Sequence, residues 1–141
     1  MTAKTYLCRA YRLDLKIKLK LEQLQQLKAL ATKLTVTLQP DKVLGTKTRS
    51  PMEEAAVKIM AAEEHLNTQI DHFVDVKQEI AELIESIDAE EERLLLEQRY
   101  LCFRSWEQIA VEMDYCYSYV HRLHHRALNH VAAVLDKGVR T

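Results

Sequence analysis

Glycine and proline are scarce in this chain of 141 residues, which contains only two of each. Three of the four, Pro40, Gly45 and Pro51, lie within one stretch of twelve residues. Folds with many tight turns need these residues, because glycine supplies left-handed backbone and proline fixes φ. Their scarcity disfavours a β-rich fold and predicts long helices with one principal break. The predicted fold class is all-α.

Long apolar runs are also missing. No stretch approaches the roughly 20 apolar residues that a membrane span needs, and the N-terminal residues lack the apolar core of a signal peptide. The three cysteines, Cys8, Cys102 and Cys116, are odd in number and show no CxxC spacing, so we expect no disulfide framework. These features predict a cytoplasmic protein with no membrane partner.

Signatures of catalysis are absent from the sequence as well. It contains no Gly-rich phosphate loop, no nucleophile elbow and no HExxH motif. Neighbouring carboxylates such as Glu53 and Glu54 fall at a helix start, where the positive end of the helix dipole stabilises their negative charge. His121 and His125, even with Cys116 nearby, supply too few ligands for a structural zinc site, which needs four. The sequence therefore predicts no enzyme, no cofactor and no metal.

Charge is segregated along the chain although the net charge is only −1. Residues 1–51 hold 11 Lys and Arg against 3 Asp and Glu, whereas residues 52–92 hold 2 against 13. Residues 93–141 hold 7 against 5 and carry four of the six histidines. Local field governs contact with phosphate, so the acidic total does not argue against a nucleic-acid partner.

Two long helices are predicted in residues 1–88, at about 11–34 and 52–87, with a loop at 35–51. Each has apolar residues at alternating spacings of three and four, which is a coiled-coil-like pattern. The first series is Leu13, Ile17, Leu24, Leu27, Ala31 and Leu34, with Lys20 in one position; the second is Ile59, Ala62, Leu66, Gln69, Phe73, Val76, Ile80, Leu83 and Ile87. Their opposite charges favour an antiparallel hairpin.

Two features of this hairpin leave alternatives. Strict alternation from Leu13 to Leu21 is also a strand pattern, but the three–four spacing continues beyond it and we prefer a helix. The second helix is longer, so its surplus apolar positions need the C-terminal domain or a second copy of the chain to cover them. Three roles remain open for the basic side chains of the first helix: they form ion pairs with the acidic helix, they contact phosphate, or they contact RNA polymerase.

Residues 89–141 are predicted to form a three-helix domain. A helix from about Ala89 to Leu101 follows Asp88 as N-cap and packs through Leu94, Leu95, Gln98 and Leu101. Ser105 and Gln108 form a capping box, so the next helix begins at Trp106 and presents Ile109, Ala110 and Met113 on one face. Asp114 tolerates the left-handed turn that follows.

The last helix begins near Tyr117, after Cys116 in the cap position, where sulfur is a weaker acceptor than a hydroxyl. Val120, Leu123, Ala127 and Val131 give it an apolar face. Two short helices joined by a tight turn are typical of a helix-turn-helix, which places its second helix in the DNA major groove. The candidate DNA-binding residues are Tyr117, Ser118, Tyr119, His121, Arg122, His125 and Arg126.

The order RYL, SWEQIA, a polar turn and then VxxLxxRAL resembles region four of bacterial sigma factors. More specifically, it resembles the sigma-like phage and prophage regulators of the ArpU and RinA type. The front of the chain is similar to a prophage family of uncharacterised function with the same C-terminal motif. The resemblance implies a regulator that binds double-stranded DNA in the bacterial host cell, activates late genes and contacts RNA polymerase.

Two other functions remain open at this stage. A small terminase subunit also joins a helix-turn-helix to a helical oligomerisation region, and it would form a homo-oligomer through the hairpin. A helical protein-binding module without a DNA role is the second alternative, with the acidic helix engaging a basic partner.

Overall fold

A computed structural model describes residues 1–37 and 50–140 of the chain. Its α-helices are α1 Ala3–Leu7, α2 Arg9–Thr37, α3 Pro51–Glu85, α4 Glu90–Leu96, α5 Trp106–Met113 and α6 Tyr117–Arg140, with a π-helical turn at Glu97–Leu101. No residue in the described ranges belongs to a strand, so the predicted all-α class is confirmed. No helix in these ranges is both long and apolar enough to cross a membrane.

The two long predicted helices are confirmed, and both differ slightly at their ends. α2 runs from Arg9 to Thr37 and so includes the start of the predicted loop, while α3 begins at Pro51 and ends at Glu85. Ser50 caps α3, because its Oγ accepts a hydrogen bond from the Glu53 backbone N–H at 3.1 Å. The remainder of the predicted loop, residues 38–49, lies outside the described residues.

The three–four spacing identifies the buried faces of both helices. Every member of the two predicted series whose side chain is described is buried or half-buried, including Lys20 and Gln69. The strand-like alternation is resolved in favour of the helix, because Ile17 is buried whereas Leu15, Leu19 and Leu21 are exposed.

Contacts divide the chain into two units. Residues 1–14 and 72–141 form one, here called the terminal unit, and residues 15–71 form the other, the middle unit. These units cut across the predicted division at residue 88, which followed the order of helices in the sequence. A division by sequence order does not account for segments that are distant in sequence and pack together.

The described part of the middle unit consists of the facing parts of α2 and α3. Its buried apolar side chains are Ile17, Leu24, Ala55 and Leu66. Lys28 Nζ lies 3.5 Å from Glu63 Oε1, which is an ion pair of the kind that the opposite charges of the two helices predict. Several other apolar side chains are exposed in this unit, among them Leu15, Leu19, Leu30, Val57 and Met60.

The terminal unit has a closed core. Side chains from α1, α2, α3, α4, α5 and α6 meet in one cluster, whose fully buried members include Leu7, Ile80, Ile84, Leu95, Leu96, Ile109, Val120, Leu123 and Val131. The surplus apolar positions of α3 are therefore covered by the C-terminal helices, which was one of the two alternatives. Burying a leucine or isoleucine side chain contributes about 1.5–3 kcal/mol, so this cluster is the main source of stability in the unit.

α1 was not predicted from the sequence. Its N-cap is Thr2, whose hydroxyl accepts a hydrogen bond from the Thr5 N–H at 3.1 Å. The helix packs against α6 and places Leu7 in the core. Arg9, at the start of α2, then pairs with Glu79 of α3 at 2.9 Å.

The predicted helix at 89–101 needs correction. The regular helix ends at Leu96, and a π-helical turn follows, with the Cys102 N–H donating to the Glu97 carbonyl at 3.0 Å. Its N-cap is Ala89 rather than Asp88. Leu94 is exposed, and the core positions are Leu95, Leu96 and Tyr100. Tyr100, in the π turn, is buried in the core, and Leu101 is half-buried and packs against the core as expected.

Candidate nucleic-acid interface

The first helix of the candidate helix-turn-helix begins at a complete capping box. The Gln108 N–H donates to Ser105 Oγ at 3.2 Å, and the Ser105 N–H donates to Gln108 Oε1 at 2.9 Å. These two bonds satisfy donors that would otherwise lack partners at the helix start. Ile109 is fully buried and Ala110 and Met113 are half-buried, as predicted.

The turn between α5 and α6 depends on a left-handed residue. Asp114 has φ 58° and ψ 44°, the conformation that its sequence position predicts. The Tyr115 N–H donates back to the Ala110 carbonyl at 3.1 Å and closes the end of α5. This short connection fixes where α6 begins relative to α5.

α6 begins after Cys116, which is exposed. The Cys116 Sγ lies 3.6 Å from Ser118 Oγ. This hydrogen bond, followed by one from the Tyr119 backbone, lowers the pKa of the Cys116 thiol. The thiol therefore occupies the cap position that the sequence assigned to it.

The two faces of α6 differ sharply. Val120, Leu123, Ala127 and Val131 have no exposed surface and pack in the core, which confirms the predicted inner face. On the other side, Tyr117, Ser118, Arg122, His125 and Arg126 are exposed. The buried side fixes the rotation of the helix, so the exposed side chains are held outward on a rigid element.

His121 is half-buried and packed among aromatic rings. Its ring centroid lies 4.9 Å from that of Trp106 and 4.5 Å from that of Tyr117. Its Nε2 atom is buried and has no hydrogen-bond partner in the structure. His121 thus joins the outer face of α6 to α5, and its access to a ligand is smaller than that of His125.

Two of the candidate residues are held by Glu91 of α4. The Tyr119 hydroxyl donates to both Glu91 carboxylate oxygens at 3.3 and 3.4 Å, and the Arg126 guanidinium lies 3.4 Å from Oε1. The Tyr115 hydroxyl donates to Oε2 at 2.8 Å, and this bond raises the pKa of Tyr115. Sequence reasoning missed Glu91, because nothing local relates α4 to α6.

Arg122 differs from Arg126 in its surroundings. It is exposed, and its guanidinium carbon lies 5.7 Å from the centroid of the Tyr119 ring. A cation over an aromatic face gains modest attraction while its N–H groups stay available. Glu91 partly neutralises the charge of Arg126. Of these two arginines, Arg122 therefore presents the stronger positive charge to a ligand on the outer face of α6.

The surface beside Glu91 is acidic. A groove of about 610 Å³ is lined by Glu90, Glu91, Glu97 and Glu112 together with apolar side chains such as Leu94 and Met113. Carboxylates repel phosphate, so this side of the terminal unit is a poor surface for nucleic acid. This side of the terminal unit therefore adds nothing to the candidate interface on the outer face of α6.

Behind the interface lies a buried polar contact that sequence reasoning also missed. The Tyr100 hydroxyl and His124 Nε2 are hydrogen-bonded at 2.6 Å, and the His124 ring lies 4.5 Å from that of Trp106. Burial, followed by neighbouring cations, lowers the pKa of His124 to about 4, and burial raises the pKa of Tyr100. Val120, His124, Ala127 and Val131 recur at helical spacing, and this pattern could have placed His124 on the buried face of α6.

A second histidine of α6 pairs with a buried carboxylate. His130 Nδ1 lies 2.5 Å from Glu92 Oε1, and Glu92 is almost fully buried. An acidic residue in a core needs a partner, because an unpaired buried charge is costly. Together, Glu91 and Glu92 attach α4 to α6 at two points.

The histidines and cysteines of this region do not assemble into a metal centre. Within the part of the chain that the structure describes, no group of three or more His, Cys, Asp or Glu side chains could hold a metal ion.

Comparisons of the chain with protein-family models, with curated proteins and with solved structures find no match. The resemblance to sigma region four therefore rests on the motif residues themselves.

Proposed function

We propose that this chain is a sequence-specific DNA-binding regulator of transcription, of phage or prophage origin, that acts in the bacterial cytoplasm. One observation carries the proposal. α6 has a fully buried apolar face and an outer face of exposed Ser118, Arg122 and His125, and it follows a capped short helix through a left-handed turn. That is the arrangement of a recognition helix.

The chemistry of the outer face suits duplex DNA. Arg122 has the planar donor array that pairs with the O6 and N7 atoms of guanine in the major groove. Ser118, near the start of the helix, is placed to donate to a base edge or a phosphate oxygen. His125 lies one turn beyond Arg122 and adds positive charge when it is protonated.

Arg126 has a supporting part in this proposal. Its ion pair with Glu91 restricts the side chain, and the pair is exposed enough for phosphate to compete with the carboxylate. Exposed ion pairs contribute about 1 kcal/mol or less, so exchange of one anion for another is inexpensive. We assign Arg126 a phosphate contact that positions α6 and does not itself select sequence.

The test is enrichment of binding sites from a random duplex-DNA pool by the full chain at about 150 mM salt, where weak nonspecific contacts are suppressed. We expect a defined motif. Arg122→Ala should weaken binding to that motif by about tenfold or more and relax the preference at one position. Arg126→Ala should weaken all sequences alike and reduce the salt dependence by about one ion.

Lys58→Ala is the matched control, because it removes one exposed cation from α3 rather than from α6. It should leave the motif and its affinity unchanged. If the pool yields no motif, or if Lys58→Ala weakens binding as much as Arg122→Ala does, sequence-specific readout by α6 is wrong. Placing the enriched site upstream of a reporter promoter then tests activation, for which transcription should rise.

The resemblance to phage and prophage regulators supports the activation of late genes and a contact with RNA polymerase. A DNA-packaging component of the small-terminase kind is the second candidate. The observation that favours it is the set of exposed apolar side chains in the middle unit, since such side chains often mark a surface for self-assembly. A ring of about eight or more subunits in solution would favour packaging, and a monomer or dimer would favour the regulator.

A further inference from the structure

A crevice of about 330 Å³ lies in the terminal unit, away from the outer face of α6. Tyr11 of α2, Tyr100 of the π-helical turn and Phe103 supply aromatic walls, and Arg99 and Gln108 supply polar groups. Small-molecule sites in proteins are concave, mostly apolar and lined by a few placed polar groups, and their volumes begin at about 300 Å³. The crevice has this size and composition.

Two irregular features of the backbone meet at this crevice. Phe103 has φ 58°, which is unusual for a bulky side chain, and it follows the π-helical turn Glu97–Leu101. Asp114 is the other non-glycine residue with positive φ in the described ranges, and the turn before α6 accounts for it. Strained residues and π turns recur at functional sites, because surrounding contacts must hold them in place.

The surroundings do hold Phe103. Its ring meets Tyr11 edge to face with centroids 5.6 Å apart, and Lys77 Nζ lies 5.5 Å from its centroid. The Arg104 N–H donates to the Gln98 carbonyl at 3.0 Å. These contacts turn an aromatic ring toward the crevice at a position where a glycine would be the relaxed choice.

The polar side of the crevice is cationic. The Arg99 guanidinium lies 4.4 Å from the centroid of Trp106, and one of its nitrogens donates to the Arg104 carbonyl at 2.9 Å. These two contacts fix the orientation of the Arg99 guanidinium. None of the residues lining the crevice is Asp or Glu. A guanidinium held in this way matches the geometry of a carboxylate.

We propose that this crevice binds a small aromatic carboxylate, with its ring against Tyr11 and Phe103 and its carboxylate on Arg99. This binding is independent of the proposed contact with DNA, since no candidate DNA-binding residue lines the crevice.

The test uses benzoate as the probe and the full chain, followed by amide chemical shifts and by the fluorescence of Trp106, the single tryptophan. We expect saturable binding in the millimolar range, because benzoate has only nine non-hydrogen atoms and so makes few contacts. The shifts should be largest at Arg99, Tyr100 and Phe103. Benzamide, a neutral isostere, should bind about tenfold more weakly, because a hydrogen bond to a charged group is stronger than a neutral one.

Three variants locate the site. Arg99→Gln should weaken benzoate binding about tenfold and bring it close to that of benzamide. Tyr11→Ala removes an exposed wall and should weaken both probes severalfold. Arg122→Gln, a matched loss of an arginine on the outer face of α6, should leave benzoate binding unchanged.

Several results would overturn the proposal. These are a linear, unsaturated response to benzoate, shifts centred elsewhere, equal affinity for benzoate and benzamide, or equal effects of Arg99→Gln and Arg122→Gln. If Arg99→Gln does not fold, the ratio of the two probes on the unaltered chain and the effect of Tyr11→Ala still decide. Because the readout is binding of benzoate, a failure here is separate from a failure to enrich a DNA motif.

Discussion

The terminal and middle units use the same apolar spacing on their long helices, yet they bury these residues to different depths. In the terminal unit, nine large side chains are fully buried. Among the side chains described in the middle unit, the best buried is that of Leu66, at 6% exposed. Two facing helices leave the edges of their contact open, whereas side chains from six helices close the core of the terminal unit. Spacing therefore indicates which residues face inward, and the number of surrounding elements decides how far water is excluded.

The largest expected difference between the units comes from removing one core leucine in each. Leu123→Ala should lower the free energy of unfolding by about 4 kcal/mol, because the cavity is enclosed. Leu24→Ala should cost about half as much, because neighbouring side chains and water can fill the space. Denaturant unfolding, with hydrogen exchange read separately for amides of the two units, measures both. Equal losses would show that the two contacts are equally closed.

A second difference lies in histidine, and it depends on pH. His124 has a pKa of about 4 in the folded terminal unit and 6.5 as its ordinary value. Between these values the unfolded chain binds the proton and the folded chain does not. The contribution of neutral His124 to the free energy of unfolding is therefore fully present above pH 6.5. It is lost as the pH drops toward 4, by about 3 kcal/mol in total.

His124→Gln should flatten this slope between pH 6.5 and 4, as measured by denaturant unfolding across that range. His65→Gln is the matched control, since His65 is exposed on α3 in the middle unit. It should leave the slope as in the unaltered chain. Identical slopes for all three proteins would mean that the buried ring of His124 is not the group that titrates.

The smallest expected effect concerns the ion pair between Lys28 and Glu63 in the middle unit. Both Lys28 and Glu63 are about half-exposed. Lys28→Glu together with Glu63→Lys should restore most of the stability that either single change removes, and each single loss should stay under about 1 kcal/mol. A double-mutant cycle measures the coupling. A coupling well above that value would mean that charge, rather than apolar burial, holds the middle unit.

The sequence predicted those parts of the fold that depend on local chemistry. The capping box at Ser105, the left-handed Asp114 and the inner face of α6 each follow from residue type and spacing within a few positions. The same reasoning gave the buried faces of α2 and α3. Each of these features depends on residues that are close in sequence, so a sequence pattern can predict it.

Other features were not predictable in this way, because distant residues decide them. α1 is only five residues long and depends on α6 for its burial. The π turn has no residue signature, and it adds Tyr100 to the core beside the expected Leu101. Glu91 meets its partners on α6 across about thirty residues of sequence, so its hold on Tyr119 and Arg126 became visible only in the structure.

The packing of α1 against α6 has a consequence for how the chain folds during synthesis. Leu7 leaves the ribosome before the α6 residues that it meets, because α6 begins only at Tyr117. Contacts between segments this far apart require closure of a loop of about one hundred residues, which slows folding. The apolar side chains of α1 must therefore wait exposed until α6 emerges, and during that interval a nascent chain depends on protection from aggregation.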